Sequence, residues 1–251
     1  MKMFAIPPRC RLPGLAAAVG AALLAGTTAF AAEFSVTPIR VELKAGVLSE
    51  TITVTNHANT RLRVSVKLQE WTQDASGNDV YKDSSDLVYF PRQLEIEPEA
   101  RKLVRVGIKT PAALNERAYR LFVEEEPQAT SGGQPAQVSF YFRFGVPIFL
   151  PPAVPRRQPE VTAPVLQRGK VSVLVSNTGN EHFRLSKLVL SDGAAFATEI
   201  AGWYSLAGSS RTYTLEVPRE ACRNARSLNL ALEGEGFRIE RTIDVDPANC
   251  A

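Results

Sequence analysis

The chain has 251 residues, is 45% hydrophobic and 22% charged, and carries a formal net charge of +3. Three basic residues near the start, Lys2, Arg9 and Arg11, account for that excess: 29 less 3 leaves 26 Lys and Arg against 26 Asp and Glu. A neutral remainder excludes a function built on electrostatic attraction to nucleic acid or to an anionic membrane.

Residues 1–31 read as a secretory signal. The three basic residues form its n-region, Leu15 to Leu24 is an apolar run too short to span a bilayer, and Ala29-Phe30-Ala31 is a small-residue cleavage site. The product is expected to start near Ala32, to be exported and, with no later segment long and apolar enough to span a membrane, to be soluble. About 220 residues then remain, enough for one large all-β domain or two of about 110. Cys10 leaves with the signal. Cys222 and Cys250 stay, and an even pair in an exported protein is most simply a disulfide, whose loop closure contributes roughly 3.6 kcal/mol on a chain-entropy basis. A redox-active pair is the alternative, but the spacing is unlike C-x-x-C.

In chain order, Phe34 to Leu43 is extended and turns at Lys44-Ala45-Gly46. Val47 to Asn56 and Arg61 to Trp71 alternate, the latter with Leu62, Val64, Val66 and Leu68 on one face. Ser76-Gly77-Asn78 marks a turn, and Leu87 to Ile96, Ala100 to Lys109 and Arg117 to Glu126 follow as strands. A loop rich in Gly, Ser and Pro, Pro127 to Pro135, leads into Gln137 to Pro152. Seven strands at short intervals without a helix predict an immunoglobulin-like β-sandwich over 32–151. Pro151, Pro152, Pro155 and Pro159 mark a stiff connector, 152–160, at which pairing should stop. Alternation then resumes from Val171 to Val245, with turns at Asn177 to Asn180, Ser191-Asp192-Gly193, Ala207-Gly208-Ser209 and Glu233 to Gly236, and predicts a second sandwich over 161–251. The halves share architecture but no sequence repeat.

The stretch Gln137 to Pro152 stands apart from the other strands. Val138, Phe140, Phe142, Phe144, Val146 and Ile148 form an unbroken apolar row, three of them phenylalanines at successive same-face positions. Such a row is either a buried core strand or an edge strand lent to another protein by strand addition. Enzymatic chemistry has little footing. His57 and His182 lie beside turn residues and read as surface loop histidines, without a partner at metal-ligand spacing. No G-x-S-x-G, H-E-x-x-H or phosphate-binding glycine loop occurs, so neither a metal nor a cofactor is expected. The run Glu124-Glu125-Glu126 reads as a solvated strand end. A tandem-sandwich adhesin or carbohydrate-binding module would use Trp71, Trp203 or Tyr204, although both tryptophans read as core residues of their own domains.

Four stretches carry a family resemblance. They are Thr37-Pro38-Ile39-Arg40-Val41 with Gly46 beyond it; Tyr89 to Pro98 running into Val104-Arg105-Val106; Tyr119 to Pro127; and the apolar strand that ends in prolines. Over essentially the whole exported chain the order of these features resembles the PapD-like periplasmic chaperones of the chaperone/usher pilus pathway. The resemblance implies a boomerang of two immunoglobulin-like β-sandwich domains, a periplasmic location and no enzymatic activity. Its implied partners are pilus or fimbrial subunits and an outer-membrane usher. Such a chaperone fills the groove of an unfinished subunit with its own strand, and the matching donor residues here are Val138, Phe140, Phe142, Phe144 and Val146. The family anchors the subunit's C-terminal carboxylate with two basic residues. The first matches Arg40; the second, a lysine late in the same strand, falls on Val146 or Pro147 and is absent. Arg143 and, more weakly, Arg105 are the candidates to replace it. This departure and the short loop before the strand imply a divergent member, of the archaic or alternate branches.

Overall fold

The computed structural model describes residues 34–43, 49–108, 113–127 and 140–250. The signal assignment, the turn at Lys44 to Gly46 and Val138 lie outside the described residues.

The alternating stretches of the first half form two sheets. β1 (Phe34–Thr37), β3 (Ser49–Asn56), β8 (Arg101–Ile108) and β6 (Leu87–Phe90) make one, in the order β1-β3-β8-β6. The other runs β2-β10-β9-β4-β5, from β2 (Val41–Glu42), β10 (Arg143–Leu150), β9 (Arg117–Glu125), β4 (Leu62–Gln73) and β5 (Asp79–Asp83), and β7 (Gln93–Ile96) also pairs with β4. Their inner faces supply one core, in which Ile52, Val64, Ile96, Val104, Val106, Leu121, Val123 and Ile148 are fully shielded from water. Period-two alternation explains the choice: in β4, Leu62, Val64, Val66 and Leu68 are buried and their neighbours are not.

Two expected strands are each divided at a proline. Phe34 to Leu43 splits into β1 and β2, and Leu87 to Ile96 into β6 and β7, with Pro38 and Pro91 between the parts. In both cases the chain leaves one sheet and joins the other. A residue that lacks an N–H cannot continue a ladder, so the crossing falls there.

The second half repeats the layering. β13 (Lys170–Asn177) pairs with β11 (Pro159–Val161), β12 (Val165–Gln167) and β17 (Ser210–Glu216). β14 (Phe183–Ser191) pairs with β15 (Ala197–Ala201), β16 (Tyr204–Ser205) and β18 (Ser227–Gly234), which in turn pairs with β19 (Phe237–Asp244). Pairing therefore resumes on Pro159, contrary to the expectation that it stops through the connector. As the first residue of β11, Pro159 occupies a position that a strand tolerates. Among the described residues no sheet takes strands from both halves, and the protein is all-β with two tandem immunoglobulin-like sandwiches.

One helix, α1 (Arg219–Asn224), and a 3-10 turn at Pro247–Cys250 close the second core. Each carries one of the buried cysteines, and Cys222 and Cys250 form the expected disulfide, 28 residues apart. Replacing both by serine is expected to lower unfolding free energy by about 3 kcal/mol, read from urea denaturation under non-reducing conditions. An unchanged midpoint would show that the 3-10 turn is held by its other contacts.

Candidate functional site: a free strand edge and an arginine cleft

β10 pairs with β9 from Arg143↔Glu124 to Leu150↔Arg117, and the Glu125 N–H donates to the Phe142 carbonyl at 3.0 Å just beyond the strand. On its other side the described partner is β2, which runs parallel and meets only Ile148 and Phe149. Leu43 N–H adds one bond to the Phe149 carbonyl at 2.8 Å. Among the described residues, nothing pairs with that edge along 143–147, so it offers unused backbone acceptors there, and unused donors short of Pro147, which has no N–H.

The apolar row divides along the same strand. Val146, Ile148 and Leu150 are buried in the first core. Phe144 is partly buried, its ring edge-on to Phe34 at 4.9 Å. Phe142 is likewise partly covered, whereas Phe140 is 75% exposed. The row thus starts in the protein's own core and climbs out of it. Val146 is a core residue of its host, and Phe140, Phe142 and Phe144 are the members with surface left to offer.

Arg40 stands just before β2, and extending the β2–β10 register by one residue sets it opposite Pro147. The position where a basic partner is missing is therefore beside Arg40. Of the proposed replacements, Arg143 pairs with Glu124 at 2.6 Å and lies with its Cζ 3.8 Å from the Phe122 ring centroid. Four residues of extended strand separate it from Pro147, roughly 13 Å. Arg105 is exposed on β8, opposite Thr51 and Phe90 in the other sheet. Neither shares a described contact with Arg40.

What Arg40 does touch comes from the second sandwich. Its Nη1 donates to both carboxylate oxygens of Glu235, at 2.9 and 2.7 Å, and its Nε lies 3.2 Å from Glu42. Arg184 Nη1 stands 3.7 Å from the same Glu235 carboxylate. Burial alone would raise the Glu235 pKa, but the hydrogen bond and charge of Arg40, with Arg184 behind them, hold it below the usual carboxylate range. Glu235 reaches this place because it tips the turn between β18 and β19. Its N–H donates to the Arg184 carbonyl at 3.0 Å, and Gly236 takes a φ of +83° that only glycine adopts readily.

A shared apolar cluster fixes the two sandwiches in this relation. Phe149, on the face of β10 opposite the core row, stacks on His182 with centroids 3.6 Å apart. Trp71, Ala118 and Leu206 bury around it, flanked by Tyr81 and Tyr204. His182 Nδ1 lies 2.8 Å from Glu116, both side chains almost fully buried. The expected surface-loop reading of His182 is thus incorrect: the loop is covered by the other sandwich. His57 is exposed, with Nε2 2.8 Å from the Ser35 hydroxyl. The tryptophans also sit differently from expectation. Trp71 is buried in the junction, outside its own sandwich core, and half-buried Trp203 donates from its indole to Asp79 at 3.0 Å across it.

Comparison with known proteins bears on the first sandwich directly. Residues 33–155 match the family model for "Pili and flagellar-assembly chaperone, PapD N-terminal domain". No curated protein sequence matches the chain. Among solved structures, a chain of the chaperone–tip adhesion subunit complex CsuC–CsuE, from archaic Csu pili of Acinetobacter baumannii, is 21% identical with a TM-score of 0.57. It covers 82% of this chain and 97% of its own. The Pseudomonas aeruginosa CupB2 chaperone is 16% identical at a TM-score of 0.55, over 84% of this chain and all of its own. A chain of the Salmonella enterica SafA pilin–SafB chaperone complex is 13% identical at 0.55, over 87% and 99%. At these identities the likeness establishes the fold.

Proposed function

We propose that the protein is a periplasmic, non-enzymatic chaperone of the PapD-like family that holds pilus or fimbrial subunits by donor-strand complementation and passes them to an outer-membrane usher. The observation that carries this reading is the half-paired edge of β10 with its apolar row emerging from the core. A sandwich that needed β10 only for itself would cover that edge or leave it polar. A subunit lacking its last strand supplies the complementary groove: it gains a ladder along 143–146 and receives Phe140, Phe142 and Phe144, with Val138 upstream. The matched family model over the first sandwich and the chaperones among similar folds support the same assignment. The described residues contain no helix long and apolar enough to cross a membrane.

Co-expression with pilus-subunit genes that neighbour this one, followed by co-purification, tests the reading. A one-to-one complex is expected, and a subunit that stays insoluble in the chain's presence would contradict it. Arg40→Ala is expected to weaken that complex by about 2–5 kcal/mol, measured by calorimetry or competition. Unchanged affinity would remove Arg40 as the carboxylate anchor.

A further inference from the structure

The cleft beside β10 holds a carboxylate already. Glu235 receives two hydrogen bonds from Arg40 and faces Arg184, which stands with its Cζ 5.7 Å from the Tyr204 ring centroid. One arginine comes from each sandwich. Taking Arg40 as the anchor of the guest's carboxylate, we propose that Arg184, which faces the same carboxylate, completes that seat, and that Glu235 fills it until a guest arrives. The inference rests on the chaperone reading above and goes beyond it.

Three observations point this way. The seat lies where a guest strand laid along β10 runs out, since Arg40 falls opposite Pro147. It is also accessible: the side chains of Arg40, Glu235 and Arg184 are 32%, 36% and 49% exposed. Exchange of one carboxylate for another keeps the charge balance and the forked hydrogen bonds, and a half-exposed ion pair resists displacement little. Glu42, at 3.2 Å from Arg40 Nε, binds a different nitrogen and remains in place through the exchange. Glu235 can leave by turning its part-exposed side chain toward solvent, while its backbone stays held by the N–H bond to the Arg184 carbonyl.

Two arms of one experiment test the seat and the guest separately. In the first, the purified Glu235→Ala protein is melted in sodium acetate and in sodium chloride of equal ionic strength, and the Arg40 and Arg184 Nε–H resonances are followed by NMR. Acetate is expected to raise Tm and shift both resonances in Glu235→Ala, to leave the wild type unchanged, and to do neither in Glu235→Ala/Arg184→Gln. If acetate and chloride act alike on Glu235→Ala, there is no carboxylate seat and the proposal falls. In the second arm, the subunit recovered by co-expression is titrated with wild type, Arg184→Gln and Glu235→Ala. Affinity is expected to drop roughly tenfold for Arg184→Gln and to rise for Glu235→Ala, in which the competing carboxylate is gone. Equal affinity for all three overturns the guest assignment even where acetate binds. If the wild type captures no subunit, the chaperone reading fails and the guest with it, while the acetate arm still decides whether the two arginines form a seat.

Discussion

Aspartate at both Phe140 and Phe142 is expected to abolish subunit capture while the protein keeps its fold. Phe140 is 75% exposed, and Phe142 precedes the first residue of β10 and is only partly covered. Neither closes the first core, a task that falls to Val146, Ile148 and Leu150. In a subunit groove each ring would contribute about 1.5–3 kcal/mol through burial, and an aspartate in its place would have to be buried unpaired. The two changes together therefore remove more than about 3 kcal/mol of binding, a loss of over a hundredfold. Far-UV circular dichroism and thermal melting of the isolated variant should match the wild type, and co-purification with the subunit should fail. Val146→Asp marks the contrast, because that side chain is 3% exposed and its replacement should unfold the first sandwich. An unfolded Phe140→Asp/Phe142→Asp protein would mean that the row belongs to the host, and the chaperone reading would lose its carrying observation.

Features with a local cause are legible in the sequence. Alternation in Arg61 to Trp71 and in Gln137 to Pro152 found the strands because one buried face imposes a period of two. The Cys222–Cys250 bond followed from an even count in an exported chain. The chain-crossings at Pro38 and Pro91 carried a local signal, the missing amide, but periodicity continues through them and conceals the break. β5 carries little sequence signal because Asp79–Asp83 is short and mostly polar, with only Val80 and Tyr81 to mark it. His182, Trp71 and Glu235 were out of reach for another reason: each owes its role to a surface that arrives from the other sandwich. Arg40 and Glu235 are 195 residues apart, and nothing near Gly234-Glu235-Gly236 distinguishes a turn that latches from a turn that merely reverses the chain.

Phe149→Ala is expected to cost about 3–5 kcal/mol and to uncouple the two sandwiches. Phe149 is 1% exposed, although it points away from the core that the rest of β10 builds. Its burial comes from His182, Trp71 and Tyr204, with ring centroids at 3.6, 5.9 and 5.7 Å. Removing the ring leaves a cavity between the halves and takes the stacking partner from His182, whose ring then keeps the buried carboxylate of Glu116 and the ring of Tyr204. Both tryptophans border this junction, so their fluorescence reports on it, whereas far-UV circular dichroism reports on strands throughout. In urea the two signals are expected to change together for the wild type; in Phe149→Ala fluorescence should change first. The Arg40–Glu235 contact depends on the same alignment, so the variant should also lose the Arg40 resonance position of the wild type before either sandwich melts. Coincident transitions at an unchanged midpoint would show that the polar bonds across the junction, Gln73 to Leu206 and Trp203 to Asp79 among them, hold the halves without the aromatic stack.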